Sequence, residues 1–454
     1  MRRGVRLSQC MIVKNEEENI ERALSWGKDI MYEQIVVDTG STDRTVEIAE
    51  RLGAKVYHFE WIDDFAAAKN YAIELAKGDW IAFLDADEYF PPEDVAKLMP
   101  ILRDLQHSKY EVLMTNILHL DKDGKAAESS TYMRIFRNRP GLRYRGRIHE
   151  ELASDSGTIQ FIDGTEDLSI YHTGYLQSAE GDVRKSKRNV PLIEKTLEEE
   201  PDNYVMMGYL GDGYVNLERY DEAVDLYQKA IVYLTKEELS EYDARSAATF
   251  KNLMRILLKI KGDVSAAENV YQQAVRSLPK NGDFDYVIGE EYIRLGRLQD
   301  AAYHLERGIG LLEKFGNTQK TDLLFANLQK AWEDLSLCYY GIGDLSQCVN
   351  CTTALLRANP WNMRMLQALL LAFLKDEQDA QTGGKGAYQA ASPAQVRDFL
   401  GNLYNFQALR DRLFVLKAAM AAEYDGLVQE LRQLMAPQEL ESFDRAMGQE
   451  VQEN

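Results

Sequence analysis

The run Phe83-Leu84-Asp85-Ala86-Asp87-Glu88 ends an apolar stretch in two carboxylates separated by one small residue. Residues two apart on a strand project to the same side. Where the chain starts to turn at a strand end, both carboxylates can address one region. Hard oxygen ligands of this kind suit Mg2+ or Mn2+, ions that commonly bridge phosphate oxygens. An ion held there neutralises charge on a departing diphosphate. The pattern alone is weak, because acidic strand ends are common on protein surfaces.

A second run, Ile35-Val36-Val37-Asp38-Thr39-Gly40-Ser41-Thr42-Asp43, puts Asp38 at the end of another apolar stretch. There it can accept hydrogen bonds from a uracil N–H or a ribose hydroxyl. Gly40 permits a tight backbone turn. Ser41, Thr42 and Asp43 are common helix N-cap residues, so Asp43 is read as structural and Asp38 as functional.

The elements around these runs explain why they meet. Leu7–Val13, Gln34–Asp38, Ala54–His58 and Trp80–Leu84 are short, apolar and rich in β-branched residues, and read as strands. Between them Glu16–Trp26, Asp43–Leu52 and Phe65–Lys77 read as amphipathic helices. Alternating strands and helices predict a mostly parallel sheet covered on both faces, with ligands at the carboxyl ends of its strands. The polar clusters Lys14-Asn15-Glu16, 38–43 and 85–88 fall at those ends.

Beyond about residue 203 the texture is helical and repetitive. Met207, Leu210-Gly211, Tyr214, Ala223, Tyr227 and Ala230 fit a tetratricopeptide pattern of small and large positions over two antiparallel helices. Further units carry Ala267, Tyr271 and Ala274; Tyr292, Ala301 and Leu305; and Trp332, Leu335, Tyr339 and Cys348. The corresponding positions Ala223, Ala267, Ala301 and Cys348 lie 44, 34 and 47 residues apart, the middle spacing being the repeat's own period.

A net charge of −20 argues against a nucleic-acid binder, which needs a basic face. No window approaches the roughly 20 apolar residues of a membrane span, and no secretory signal follows Met1-Arg2-Arg3. The four cysteines, including the Cys348-x-x-Cys351 pair, read as structural thiols of a reducing compartment. A cytoplasmic protein is expected.

Met11-Ile12-Val13-Lys14-Asn15-Glu16, the Val36-Val37-Asp38-Thr39-Gly40-Ser41-Thr42-Asp43 run, and the stretch from Ala68-Lys69-Asn70 to Asp85-Ala86-Asp87-Glu88 resemble family 2 glycosyltransferases in order and spacing. The whole chain is similar to members fused to tetratricopeptide repeats, including the sublancin-type peptide S-glycosyltransferases. The resemblance implies an α/β GT-A domain that binds a nucleotide sugar, taken as a UDP-sugar, and transfers with inversion, followed by an all-α repeat domain. It implies that Val13, Asn15, Glu16, Asp38 and Gly40 border the nucleotide. Lys69, Asp85 and Ala86 would meet the diphosphate or donor sugar. Lys69 stands where many members have Arg, and replaces a bidentate fork with a point charge.

The same resemblance makes Asp87 the ligand of Mg2+ or Mn2+ and His172, before Thr173-Gly174, a further ligand. Inverting transfer also needs a base on the acceptor side. The Glu-Asp pair of many members is missing, so Glu150 or His149 takes that role, beside the donor-side Asp85.

The expected organisation is a GT-A domain over 1–175, a helical connection over 176–202, repeats over 203–375, a loop or linker over 376–393 and a helical cap over 394–454. The segment 121–130 is expected as a loop near the acceptor. The repeats either hold a peptide or protein acceptor on a concave surface or form a homodimer. A transferase of cell-wall, capsule or lipid-linked glycans is the alternative, and a non-catalytic scaffold the remote one.

Overall fold

The computed structural model describes residues 4–174, 179–240, 243–316, 323–382 and 389–453. By contact the chain divides into two compact units. The first runs through Leu239 and takes in Asp243–Ile256; the second takes in Ser240 and the described residues from Leu257 onward.

The first unit opens with β1 (Leu7–Val13), α1 (Ile20–Ser25), β2 (Glu33–Asp38), α2 (Thr45–Arg51), β3 (Lys55–His58), α3 (Phe65–Leu75) and β4 (Trp80–Phe83). It continues through β5 (Glu88–Tyr89), α4 (Pro92–Leu105), β6 (Val112–Leu120), β7 (Ala126–Arg137), β8 (Leu142–Arg145), β9 (Glu151–Ser154), β10 (Phe161–Asp163) and β11 (Ser169–His172). The main sheet has nine strands, ordered β3-β2-β1-β4-β7-β6-β11-β5, with β10 beside β6; β8 and β9 form a separate pair.

The strands β3, β2, β1 and β4 are parallel, as the alternating pattern predicts. Beyond them the sheet is mixed, because β7 runs antiparallel to both β4 and β6. The expected loop over 121–130 is a short turn: Gly124 has φ +76°, and Ala126 to Ser130 already belong to β7. Polar side chains on a half-exposed hairpin concealed the strand period there.

Alternation along β4 explains the two-sided core. Trp80, Ala82 and Leu84 face α4 with Leu98 and Leu102, while Ile81 and Phe83 face Ala72 and Ile73 of α3. Met11, Val13 and Val36 pack against Ile20 and Leu24 of α1 and Ile48 of α2. Each such side chain contributes about 1.5–3 kcal/mol by leaving water. The helices therefore lie where the βαβ crossovers put them, and the β1, β2 and β4 ends open on one edge.

The first unit closes with α5 (Ala179–Glu199), α6 (Tyr204–Asn216), α7 (Tyr220–Leu234) and α8 (Ala244–Ile256). Ala223 and Ala230 are fully buried, and Tyr227 lies over Gly211, where a Cβ would come within 2.5 Å of its ring. The sheet and the first repeat helices thus share one unit.

In the second unit a π-helical turn (Leu257–Lys261) precedes α9 (Val264–Ser277), α10 (Asp283–Arg294), α11 (Leu298–Phe315), α12 (Leu323–Ala326), α13 (Leu328–Ile342) and α14 (Leu345–Ala358). Then come α15 (Met363–Gln381), α16 (Pro393–Leu400), α17 (Leu409–Ala421), α18 (Asp425–Arg432) and α19 (Pro437–Glu453). The small positions Ala267, Ala301 and Cys348 are fully buried. The four cysteines are free thiols. The expected linker over 376–393 is narrower than predicted, since α15 continues to Gln381 on helix-favouring Lys, Asp, Glu and Gln and α16 starts at Pro393. Residues 383–388 of that stretch lie outside those described.

Candidate active site

The strand ends frame a cleft of about 820 Å³. Val13, Lys14, Glu16 and Thr39 line one end. Lys69, Asp85, Ala86, Asp87, Arg134, Glu150 and His172 line its floor and sides, and Lys185, Arg188 and Asn189 of α5 form a wall.

Asp38 is held back from this surface. It is buried, and its carboxylate accepts from the Gly40 and Ser41 amides at 3.2 and 3.0 Å, with His58 Nδ1 at 3.3 Å. Burial opposes its ionisation, but those hydrogen bonds outweigh it and hold the carboxyl below its ordinary range. Gly40, at φ +105°, supplies the left-handed turn. Asn15, also left-handed at φ +57°, accepts from the Thr42 amide at 2.8 Å, and its own amide donates to Ser41 Oγ at 2.9 Å. The Glu16 amide donates to Thr45 Oγ1 at 2.7 Å. Asp43 accepts from the Thr45 amide at 3.0 Å, the structural role expected of it. These residues sew the first two strand-end loops together. The Glu16 carboxyl reaches the cleft, and burial together with the carboxylates of Asp87 and Asp85 raises its pKa against the opposing hydrogen bond from Asn19.

Along the floor of the cleft runs a chain of charges, with Lys69 and Glu88 buried and Asp85 part-exposed. Arg134 on β7 donates to Asp85 Oδ2 at 2.6 Å and to Glu88 Oε1 at 2.5 Å. Glu88 Oε2 accepts from the Asp85 amide at 2.9 Å. Lys69 on α3 sits with Nζ 2.6 Å from Glu150 Oε1 and 4.0 Å from Asp85 Oδ1, over the rings of Tyr144 and Phe83. Burial works against the charge on Lys69, but Asp85, Tyr144 and Glu150 overcome it and its pKa is raised. Burial likewise opposes ionisation of Asp85, and Arg134 with Lys69 holds its carboxyl far below the usual range. In Glu88 burial prevails over Arg134 and the carboxyl is raised. Arg134 was not singled out from sequence and Glu88 only as the end of the 83–88 run, although an arginine among Met133, Ile135 and Phe136 must find a partner if it is buried.

The structure brings Asp87 and His172 together. His172 Nε2 lies 3.1 Å from Asp87 Oδ2. Two adjacent ligands of an octahedral ion, at bonds of about 2.1 Å, stand about 3 Å apart, so this oxygen and nitrogen fit one Mg2+ or Mn2+. Gly174 closes over them: a Cβ there would stand 1.9 Å from Asp87 Oδ2 and 3.2 Å from His172 Nε2. Among the described residues no group of three or more His, Cys, Asp or Glu is placed to hold an ion. A pair of protein ligands is what a cation shared with substrate phosphates uses.

The two candidate bases part company. Glu150 turns to Lys69. His149, at φ +51°, stacks on Tyr209 of α6 with ring centroids 3.6 Å apart and planes 9° apart. Loss of hydration under that ring lowers the imidazole to about 4, so at neutral pH it is uncharged. Tyr209 is held in turn by Arg245, 4.6 Å above its ring, which pairs with Asp212 at 2.5 Å. This support from the helices, like the α5 wall, depends on chain packing and carries no local sequence signal.

Comparison with known proteins agrees with these elements. Residues 8–161 match the glycosyl transferase family 2 model, and residues 209–242 and 261–312 match tetratricopeptide repeat models. A tetratricopeptide repeat-containing protein of Synechococcus elongatus is 33% identical over 278 residues, 60% of this chain and 66% of its own length. Glycosyltransferase SunS of Bacillus subtilis is 30% identical over 228 residues, 49% of this chain and 52% of its own. An uncharacterized glycosyltransferase of Rickettsia bellii is 37% identical over 118 residues, 26% of this chain and 40% of its own. The chain thus spans about half to two thirds of the first two relatives, and less of the third. No helix among the described residues is long and apolar enough to cross a membrane. The chain joins a family 2 glycosyltransferase domain of the α/β class to an all-helical region of tetratricopeptide repeats.

Proposed function

We propose that this protein transfers a sugar, with inversion, from a UDP-sugar to a side chain of a peptide or protein, using Mg2+ or Mn2+. The observation that carries the reading is the convergence of Asp87 Oδ2 and His172 Nε2 at 3.1 Å in the cleft that also holds Glu150.

A divalent cation bound by Asp87 and His172 would offset the charge that builds on the departing diphosphate. Lys69 holds the Glu150 carboxylate at 2.6 Å, facing the α5 side of the cleft. There Glu150 accepts the proton of the acceptor's O–H, S–H or N–H as the nucleophile attacks the anomeric carbon. The new bond forms opposite the breaking carbon–oxygen bond to diphosphate, which inverts the centre. Asp85 is kept ionised by Arg134 and Lys69, and its carboxylate lies 4.0 Å from the Lys69 ammonium. The uncharged His149 packs the loop that carries Glu150. A peptide acceptor is favoured because α5 and the first repeat helices belong to the same compact unit as the cleft, and helical repeats present extended binding surfaces.

Calorimetric titration of the full chain with UDP, with and without Mn2+, tests the donor site. Binding that requires Mn2+ and disappears in Asp87→Ala is the expected result. Failure of UDP, GDP and dTDP alike to bind with Mn2+ present would overturn the reading.

A further inference from the structure

We infer that His119 is a positioning residue that presents His172 to the cation, with Ser130 fixing His119 in turn. The inference rests on Asp87 and His172 being the ligands, as proposed above.

The placement follows from the sheet. β11 runs parallel to β6 with His172 beside His119. Their rings meet edge to face, centroids 5.0 Å apart, with Nδ1 to Nδ1 at 2.8 Å. His119 is buried, and its Nε2 lies 2.7 Å from Ser130 Oγ on β7. A contact of 2.8 Å between two ring nitrogens is a hydrogen bond only if one hydrogen lies between them.

That condition selects the tautomers. To bind a cation through Nε2, His172 must carry its proton on Nδ1 and donate it. The acceptor 2.8 Å away is His119 Nδ1, which must then be bare. His119 therefore carries its proton on Nε2, and Ser130 Oγ at 2.7 Å accepts it. The three contacts of the row Ser130–His119–His172 are then mutually consistent, and His172 Nε2 is left to face Asp87 and the cation. A histidine ligand almost always has such a partner on its far nitrogen, commonly a carboxylate or carbonyl. Here a second imidazole takes that place.

The test measures Mn2+ uptake by the full chain in saturating UDP, followed as loss of the free-ion electron paramagnetic resonance signal. His119→Phe removes the acceptor and should raise the Mn2+ Kd about 10- to 100-fold. His119→Asn returns an acceptor, Oδ1, to the position of Nδ1 and should restore most of the affinity. Ser130→Ala frees His119 to take the wrong tautomer and should weaken uptake by a smaller factor. If His119→Phe does not fold, Asn and Ala at these positions decide the matter. Wild-type affinity in His119→Phe, affinity in His119→Asn as poor as in Phe, or no effect of Ser130→Ala overturns the inference. Absence of Mn2+ uptake by the wild type, or unchanged uptake in Asp87→Ala, overturns the ligand assignment itself, and this inference with it.

Discussion

His149 lies flat on Tyr209, so a residue of the loop that carries Glu150 is covered by a residue of the first repeat. The imidazole is lowered to about 4 by lost hydration, whereas an unfolded histidine titrates near 6.5. Between those values the unfolded chain holds more protons, so this histidine lowers stability progressively as pH falls from about 6.5 to about 4 and adds nothing above. Tyr209→Ala should move the His149 midpoint toward 6.5 in an NMR titration and flatten that part of the stability profile, while Tyr209→Phe should leave both unchanged. A midpoint unmoved by Tyr209→Ala would show that the stack is not what dehydrates the ring.

Lys69 should be indispensable as a charge. Lys69→Met keeps its length but leaves the largely buried Glu150 without its ammonium partner, while Asp85 keeps Arg134. Removing one partner of a buried pair costs about 3–5 kcal/mol, to be read from urea denaturation, and turnover should fall at least about 100-fold. Lys69→Arg restores the charge but not the shape, since a planar fork does not fit the ammonium's place between Tyr144 and Phe83. It should recover stability more than activity.

Gly174→Ala puts a methyl where Asp87 Oδ2 stands, 1.9 Å away. Because Gly174 is exposed, the melting temperature should change little. Mn2+-dependent UDP binding should weaken about tenfold or more, measured by calorimetry. Equal binding would mean that the segment after β11 moves aside without cost.

Two glycines of the helical region should respond with opposite signs. At Gly211 a Cβ would press within 2.5 Å of the Tyr227 ring. Overpacking costs about 1–3 kcal/mol, more than the roughly 1 kcal/mol that alanine gains in helix propensity, so Gly211→Ala should destabilise. Gly310 in α11 has nothing within 4 Å of a built Cβ. Gly310→Ala should stabilise by up to about 1 kcal/mol. Thermal denaturation of both variants checks the pair.

The parallel half of the sheet and the Asp85–Asp87 turn were legible because each depends on a few neighbouring residues: the apolar runs give the strands, and the carboxylate spacing gives the turn. The joining of Asp87 to His172 was readable only through family resemblance. Arg134, His119 and the α5 wall were not readable, because strand register and helix packing over long sequence separations place them. Asp38 shows a different limit. Its position at a strand end was evident, but the hydrogen bonds that tie its carboxylate to the Gly40 and Ser41 amides follow from the backbone path.

The stacking of Tyr209 on His149 also bears on ancestry and engineering. A fragment cut at the end of the sheet, near residue 174, would lose Tyr209, Arg245 and the α5 wall together, leaving the loop that carries Glu150 with one uncovered face. The smallest piece that keeps the cleft's surroundings extends to about Ile256. Exchange of repeats between relatives therefore has a natural joint after α8. A graft made upstream of it would have to bring its own aromatic lid for position 149.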